Sequence, residues 1–298
     1  MTADRKDARP PPQADSRAAR RLMVARPATR LMADGSTRRD PSPRPLAEET
    51  PTALVYNGVS HVVMMATPAD LEDFATGFSL SEGLIHSAAD IKRLSVRTVD
   101  AGLLVDITIP PPLMERLIDA RRNIVGQTGC GLCGVEDLED AIRPLAPLRH
   151  APRIDHHALH TALLALRDHQ PLNRDTGAVH AAAFADSTGR IKAIREDVGR
   201  HNALDKLTGW LARTGPPPES GAVIMTSRCS YELVQKTVCA GVPALVTISA
   251  PTALAVRLAE QAGLTLLALA RQDSMLCFHD PHGLFPAPED HPCESSAS

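Results

Sequence analysis

Hydrophobic and polar positions alternate, then switch period, along most of the chain. Residues 53–65 read ALVYNGVSHVVMM, two β-rich runs around Asn57-Gly58, which is a strong short hairpin signal. In TPADLEDFATGFSLSEGLI, residues 67–85, apolar side chains fall at Leu71, Phe74, Ala75, Phe78 and Leu80. That spacing predicts a helix, with Thr67 as N-cap and Pro68 at its first position. IKRLSVRTV and GLLVDITI predict a second strand pair around Asp100-Ala101-Gly102. Pro110–Pro112 stops it, and a short helix follows over LMERLIDARR. Residues 123–134, NIVGQTGCGLCG, hold four glycines and no period, and read as an exposed, mobile loop. VEDLEDAIRPL after it reads as helical.

Beyond residue 155 the pattern is α/β. Residues 157–168 read as helix, HAAAFAD and RIKAIRED as strands around Ser187–Gly189, and NALDKLTGWLAR as an amphipathic helix carrying Leu204, Leu207 and Leu211. GAVIMTS, PALVTIS and LTLLALAR read as strands, separated by the helical runs YELVQKTVCAG and TALAVRLAEQAG. Apolar, β-branched runs alternating with helices predict βαβ units and a buried parallel sheet. The fold expected is α/β, with a smaller α+β N-terminal domain. Its parts are a disordered basic, Pro-rich tail over 1–45, an α+β domain over 46–122, the loop over 123–134, an α/β cofactor-binding domain over 135–280 and a frayed tail over 281–298. The first 50 residues hold 11 Lys/Arg against 7 Asp/Glu without apolar period, which fits either a solvating tail or a basic docking arm.

Composition narrows the function. Of 298 residues 43% are hydrophobic and 22% charged, with a formal net charge of −3. That balance argues against a dedicated nucleic-acid binder. No apolar run approaches the roughly 18 residues of a membrane span, and no apolar stretch marks a secretory signal. Six cysteines are too few for a disulfide scaffold.

Candidate chemistry gathers at two places. Cys130-Gly131-Leu132-Cys133 is a CxxC pair in the glycine loop. Helix N-termini and cations lower a thiol pKa, and Cys133 precedes a predicted helix with Arg121 and Arg122 upstream. Zinc would need four ligands, and only His156, His157 and His160 offer to complete a set. A thioredoxin-like disulfide would need the motif to open a helix directly after a strand. The remaining reading is a mobile nucleophilic thiol that carries something between partners. Zinc deaminases are excluded because the CxxC precedes His180, whose i+2 residue is Ala182 and not Glu. Cys239 and Cys277 read as small core residues.

The second place is a set of strand ends. Thr226-Ser227-Arg228, Ser249-Ala250-Pro251-Thr252 and Arg271-Gln272-Asp273 each follow a predicted strand. Ligands of parallel α/β sheets bind at such ends, and helix N-termini and arginines favour phosphate. Ordinary helix capping with surface arginines reads equally well. The stretch Arg195 to Asn202, REDVGRHN, is the densest polar cluster and reads as a site, or as a solvated loop with internal ion pairs.

These residues resemble one family. GCGLCG at 129–134, REDVGRHNALDKLTGW at 195–210, SRCSYELVQK at 227–236, AGVPALVTISAPTALAVRLAEQAGLTLLALAR at 240–271 and ATGFSLSEGLI at 75–85 resemble the FdhD family of formate dehydrogenase accessory sulfurtransferases. The resemblance runs in order from about 45 to 280, and EDVGRHNALDK is its most specific part. It implies a cytoplasmic, usually dimeric sulfur carrier. Such a carrier takes sulfane sulfur from a cysteine desulfurase as a persulfide and delivers it to the molybdenum (or tungsten) bis-guanine-dinucleotide cofactor, its cargo, for formate dehydrogenase. Cys130 corresponds to the persulfide position and Cys133 to the second thiol. Cofactor binding maps onto Leu269, Ala270, Arg271, Gln272, Asp273 and Ser274, and the strand ends add Arg200, His201, Arg228, Ser249 and Thr252. The C-terminal domain is implied to be a three-layer αβα unit resembling the cytidine deaminase fold without its zinc. The chain departs from the family at Thr226-Ser227-Arg228, where Ser-Gly-Arg is common, at Gly177-Ala178-Val179-His180 in place of Gly-Gly-Thr-His, and at Ser274, Leu276 and Phe278.

Overall fold

The Asn57-Gly58 turn behaves as its residues require. Both have positive φ, 47° and 84°, and they join β5 (Thr50–Tyr56) to β6 (Val59–Ala66). The structure is a computed structural model that describes residues 22–40, 42–125 and 145–285. β5 also pairs in parallel with β8 (Gly102–Thr108), which pairs antiparallel with β7 (Arg93–Val99), giving the order β6-β5-β8-β7. Period 2 sends Leu54, Tyr56, Val105 and Ile107 to one face. There they bury against Phe74, Ala75 and Phe78 of helix α1 (Leu71–Ser81) and Met114 and Leu117 of α2 (Pro111–Val125). Each fully buried side chain of this size contributes about 1.5–3 kcal/mol. α2 starts at Pro111, because a first-turn proline gives up no helical hydrogen bond.

A second sheet follows the order β10-β9-β11-β12-β13-β14. Its strands are β9 (His180–Asp186), β10 (Ile191–Asp197), β11 (Gly221–Met225), β12 (Ala244–Thr247), β13 (Thr265–Ala268) and β14 (Leu276–His279). On one face α3 (His156–Leu166) packs Leu159 and Leu163 against Ala183, Ala185, Ile224, Val246 and Leu267. On the other, α5 (Arg200–Thr214), α6 (Tyr231–Cys239) and α7 (Ala253–Ala262) cover Ala182, Phe184, Val223, Met225, Leu245 and Leu266. A short helix, α4 (Pro171–Thr176), leads into β9.

Four expectations need correction. The sheet is mixed rather than parallel: β9 and β14 run against β10–β13, because β9 and β10 form a tight hairpin over Asp186–Gly189, which only antiparallel strands can make. Residues 23–40 and 42–45 of the expected disordered tail belong to strands and the turns between them. β1 (Met23–Arg26) pairs with β4 (Arg44–Ala47), and β2 (Thr29–Leu31) with β3 (Thr37–Arg39). β2 and β3 are exposed throughout and β1 and β4 are only partly buried, so they carry little apolar alternation to read. Thr67 does not cap α1; Asp70 takes the N-cap position, without a side-chain capping bond, and Thr67 is instead buried in a hydrogen-bond network described below. Cys239 and Cys277 are exposed, not core. At the C-terminus the chain stays packed as far as Phe285, whose N–H donates to the Asp280 carboxylate at 2.7 Å.

Candidate functional site

Strand direction gathers the separate polar stretches at one place. β10 to β13 run the same way, so their carboxyl ends share one edge, and the antiparallel β9 brings its first residue, His180, to that edge. Asp197 of β10 lies opposite His180 in register. Beyond β11 come Thr226, Ser227 and Arg228; beyond β12, Ser249 to Thr252; beyond β13, Leu269 to Ser274. The structure thus brings Arg200, His201, Arg228, Ser249, Thr252 and Leu269–Ser274 to a single sheet edge. α5, α6 and α7 all begin there, capped by Gly199, Ser230 and Thr252. The N-termini of these helices, where the dipoles are positive, thus lie at the same end of the sheet.

Backbone hydrogen bonds stitch these loops together. Ser249 N–H donates to the Ser227 carbonyl, Cys229 N–H to that of Ala250, and Thr252 N–H to that of Cys229. The Thr252 hydroxyl accepts the Ala255 amide at 3.2 Å. Leu269 N–H reaches the Ser249 carbonyl at 3.4 Å, and Ala270 N–H that of Thr247 at 3.1 Å. Leu269 has φ 52°, a left-handed conformation rare for a leucine. Such a residue costs about 1–3 kcal/mol and persists where the surroundings impose it, often beside a ligand. Arg271 donates from Nη1 to the carbonyls of Ile248 and Ala270, and its N–H closes a turn onto the Ser274 carbonyl at 2.7 Å. The guanidinium is thereby oriented while Arg271, Gln272, Asp273 and Ser274 stay exposed. Arg228 is exposed too, beside a buried Ser227.

The REDVGRHN cluster divides into two roles. Arg200 and His201 belong to the crevice. His201 Nε2 stands 3.7 Å from Glu232 of α6. His180 and His201 are both held below the ordinary histidine value, first by burial and then by the Arg200 charge. Burial works against the Glu232 carboxylate, yet the Ser230 side chain first, then its own amide and the nearby His201 and Arg200, outweigh this and keep it low. The crevice therefore presents arginine charge with two imidazoles kept neutral.

Asp197, Asn202 and Lys206 point the other way and hold the two sheets together. The Asp197 Oδ2 accepts the Thr67 amide at 3.0 Å and meets Lys206 Nζ at 2.7 Å, with both side chains wholly buried. Its Oδ1 accepts the Gly199 amide at 2.8 Å and Asn202 Nδ2 at 3.0 Å. Asn202 also donates to the Met65 carbonyl, and Lys206 to that of Thr67. Glu196 accepts the amides of Leu172 and Asn173 at the start of α4, and Arg195 donates to Asp73 of α1. The sequence offered this stretch as a site or as a solvated loop with internal ion pairs; most of it is a buried inter-sheet clamp. Sequence reasoning passed over Glu232 as a site residue, which only the juxtaposition of α5 and α6 reveals.

Cys130 and Cys133 lie outside the described residues. Of the cysteines within them, Cys229 is buried and desolvation pushes its thiol up to about 12. Burial, helped by Asp280, also raises Cys277. Neither has the depressed pKa of a nucleophilic thiol. His156, His157 and His160 sit in the first two turns of α3. No helix among the described residues is long and apolar enough to cross a membrane.

Comparison with known proteins agrees with this architecture. A model of the FdhD/NarQ family matches residues 47–285. The chain is 50% identical over 243 residues to the sulfur carrier protein FdhD of Cupriavidus necator, covering 82% of this chain and 84% of that one. It is 50% identical over 239 residues to its namesake in Xanthomonas euvesicatoria pv. vesicatoria, covering 80% and 85%. A crystal structure from Desulfotalea psychrophila, described as that of a formate dehydrogenase accessory protein, superposes with a TM-score of 0.66 at 25% identity, covering 88% of this chain and 98% of that chain. With the match spanning both sheets and every loop of the crevice edge, the chain belongs to the FdhD/NarQ family.

Proposed function

We propose that this protein is a sulfur carrier that matures formate dehydrogenase, working in the cytoplasm as a homodimer. The observation that carries the reading is family membership together with a CxxC pair at Cys130 and Cys133. The Cys130 thiolate attacks the outer sulfur of a persulfide on a cysteine desulfurase. The donor's S–S bond breaks and the donor thiolate leaves, so the exchange is neutral in electrons. Attack of Cys133 on the inner sulfur of the Cys130 persulfide then releases the carried sulfur at the sulfide level and leaves a Cys130–Cys133 disulfide. The raised pKa of buried Cys229 supports assigning this chemistry to the loop thiols.

The recipient is the molybdenum bis-guanine-dinucleotide cofactor, bound as substrate. Its phosphates call for cations and free amides. The crevice supplies Arg200, Arg228 and Arg271, the starts of α5, α6 and α7, and the turn from Leu269 to Ser274. His201, Ser249 and Thr252 line the same edge. Helices on both faces of the six-stranded sheet support the expected likeness to the cytidine deaminase fold. A second reading is a cofactor chaperone without sulfur transfer, which the strand-end arginines and helix starts alone would serve.

Intact-protein mass spectrometry after incubation with a cysteine desulfurase and cysteine tests the first reading. Wild type is expected to gain a one-sulfur adduct that a thiol reductant removes, and Cys130→Ala is expected to lose it. Reduction separates the adduct from sulfinic acid, which is nearly equal in mass and resists thiols. No adduct on folded wild type would leave the chaperone reading. Loss of cofactor binding in Arg228→Ala with loading intact would place the two activities on separate parts of the molecule.

A further inference from the structure

The ribbon of residues 23–47 lies almost wholly ahead of the family match, which begins at residue 47. β2 and β3 are exposed along their entire length and bury nothing. An isolated two-stranded hairpin is marginal in water, and this one is made worse by its own residues. Arg30 pairs directly with Arg38 across β2–β3, and Arg26 with Arg44 across β1–β4. Like charges directly opposite each other oppose strand pairing. Asp40 alone stands near two of these arginines, at 3.5 Å from Arg30 and 3.7 Å from Arg44, whose side chains remain 57% and 64% exposed. Asp34 is turned onto Ser36 at the hairpin tip. Among the described residues no carboxylate pairs with Arg38 or Arg39. At the same tip Leu31 is 77% exposed, with Met32 beside it. No requirement of the fold accounts for this surface.

Charge and position say what it meets. Residues 1–47 hold eleven Lys/Arg against five Asp/Glu, and the remainder 21 against 30. An acidic body repels a long polyanion, which disfavours nucleic acid, while an arginine field with an apolar tip matches the anchor composition of protein interfaces. β4 lies against α4, the helix that delivers His180 to the crevice edge. The start of β5, which follows β4, pairs Thr50 with Ala66, next to the Thr67–Asp197 bond at the same edge. The ribbon is rooted where cargo would be exchanged.

We propose that this ribbon is a docking arm for an acidic surface on the protein that receives the cargo, with Arg30, Arg38 and Arg39 as its charged contacts and Leu31 as its apolar one. The inference rests on the sulfur-carrier reading for the identity of that protein, formate dehydrogenase. The test is binding of full-length protein to formate dehydrogenase purified from the same cells, across a range of salt concentrations. The variant Arg30→Glu/Arg38→Glu/Arg39→Glu is expected to weaken binding by about tenfold or more and to flatten its salt dependence. Lysine at the same three positions is expected to retain most of the affinity, and Leu31→Asp to lose part of it. Because β2 and β3, where the substitutions lie, bury nothing, melting temperature stays at the wild-type value, and so does persulfide loading. Equal affinity of wild type and the glutamate variant overturns the proposal, as does absence of wild-type binding at low salt. Tighter, arginine-dependent binding of wild type to random duplex DNA, or to vesicles of phosphatidylcholine and phosphatidylglycerol, overturns it in favour of those partners. Arm-dependent docking in a protein that loads no persulfide would sink the sulfur-carrier reading and leave the arm standing.

Discussion

Asp197 is a hub of the contact between the two sheets. Four donors converge on its two oxygens, and its Lys206 partner is as deeply buried as it is. Removing one member of such a pair leaves an uncompensated charge, a loss of about 3–5 kcal/mol, whereas replacing both with apolar groups of similar size costs far less. Lys206→Met is expected to lower stability by that amount in urea denaturation, and Asp197→Leu/Lys206→Met to recover part of it. Equal and additive losses would show that the two side chains act independently. The sequence marks this residue as polar and crowded, but it cannot say that a carboxylate between a strand and a helix faces inward. Its partner Thr67 lies 130 positions away, and Asn202, which donates to the same carboxylate, reaches the Met65 carbonyl 137 positions away, beyond any local pattern. Arg200 and His201, only a few residues on, were legible as crevice residues because a strand end followed by a helix start defines that position in any α/β sheet.

The contact between α1 and α5 explains two glycines that the sequence shows without a reason. Gly77 and Gly209 face each other's helix backbones. A Cβ on Gly77 would stand 1.7 Å from the Asp205 carbonyl oxygen, and one on Gly209 1.9 Å from that of Asp73. The helices therefore cross at backbone contact, and ion pairs seal the crossing: Arg213 and Arg195 onto Asp73, and Lys236 onto Asp205 at 2.8 Å with the Ser81 hydroxyl donating to the same carboxylate. Burial pushes the Asp205 carboxyl up, and Lys236 opposes that push. Gly77→Ala or Gly209→Ala forces the helices apart and is expected to cost about 1–3 kcal/mol or more, read as a lower melting temperature. Wild-type stability in both would mean the crossing yields without loss. The helices themselves were legible from their 3.6-residue period. Their mutual closeness was not, because a glycine within a helix reads only as a weak position. Strands β1 to β4 escaped for the opposite reason: β2 and β3 bury no face and β1 and β4 bury theirs only in part, so little apolar alternation is imposed on their residues.

At the scale of the molecule, Arg200 stands near two histidines, His180 and His201, that burial first and then its charge hold below their ordinary value of 6.5. The sign of the resulting pH dependence follows from linkage. Below 6.5 the unfolded chain binds protons at these positions that the folded chain does not, so stability falls as pH drops through 6.5 toward the lower folded values. On this account wild type loses melting temperature on acidification from neutral pH, and His180→Gln/His201→Gln loses less. An anionic cargo reverses the preference locally, since a phosphate beside the imidazoles favours their protonated form. On the sulfur-carrier reading, binding of guanosine diphosphate, used as a fragment of the cofactor, takes up protons and tightens as pH falls from neutral toward about 6. Calorimetry in two buffers of different ionisation enthalpy measures that uptake directly. Proton uptake in wild type that disappears in the double histidine variant places the phosphates at the His180–His201 end of the crevice. Uptake unchanged in the variant would move them to the Arg271 end, where the turn from Leu269 to Ser274 carries no histidine.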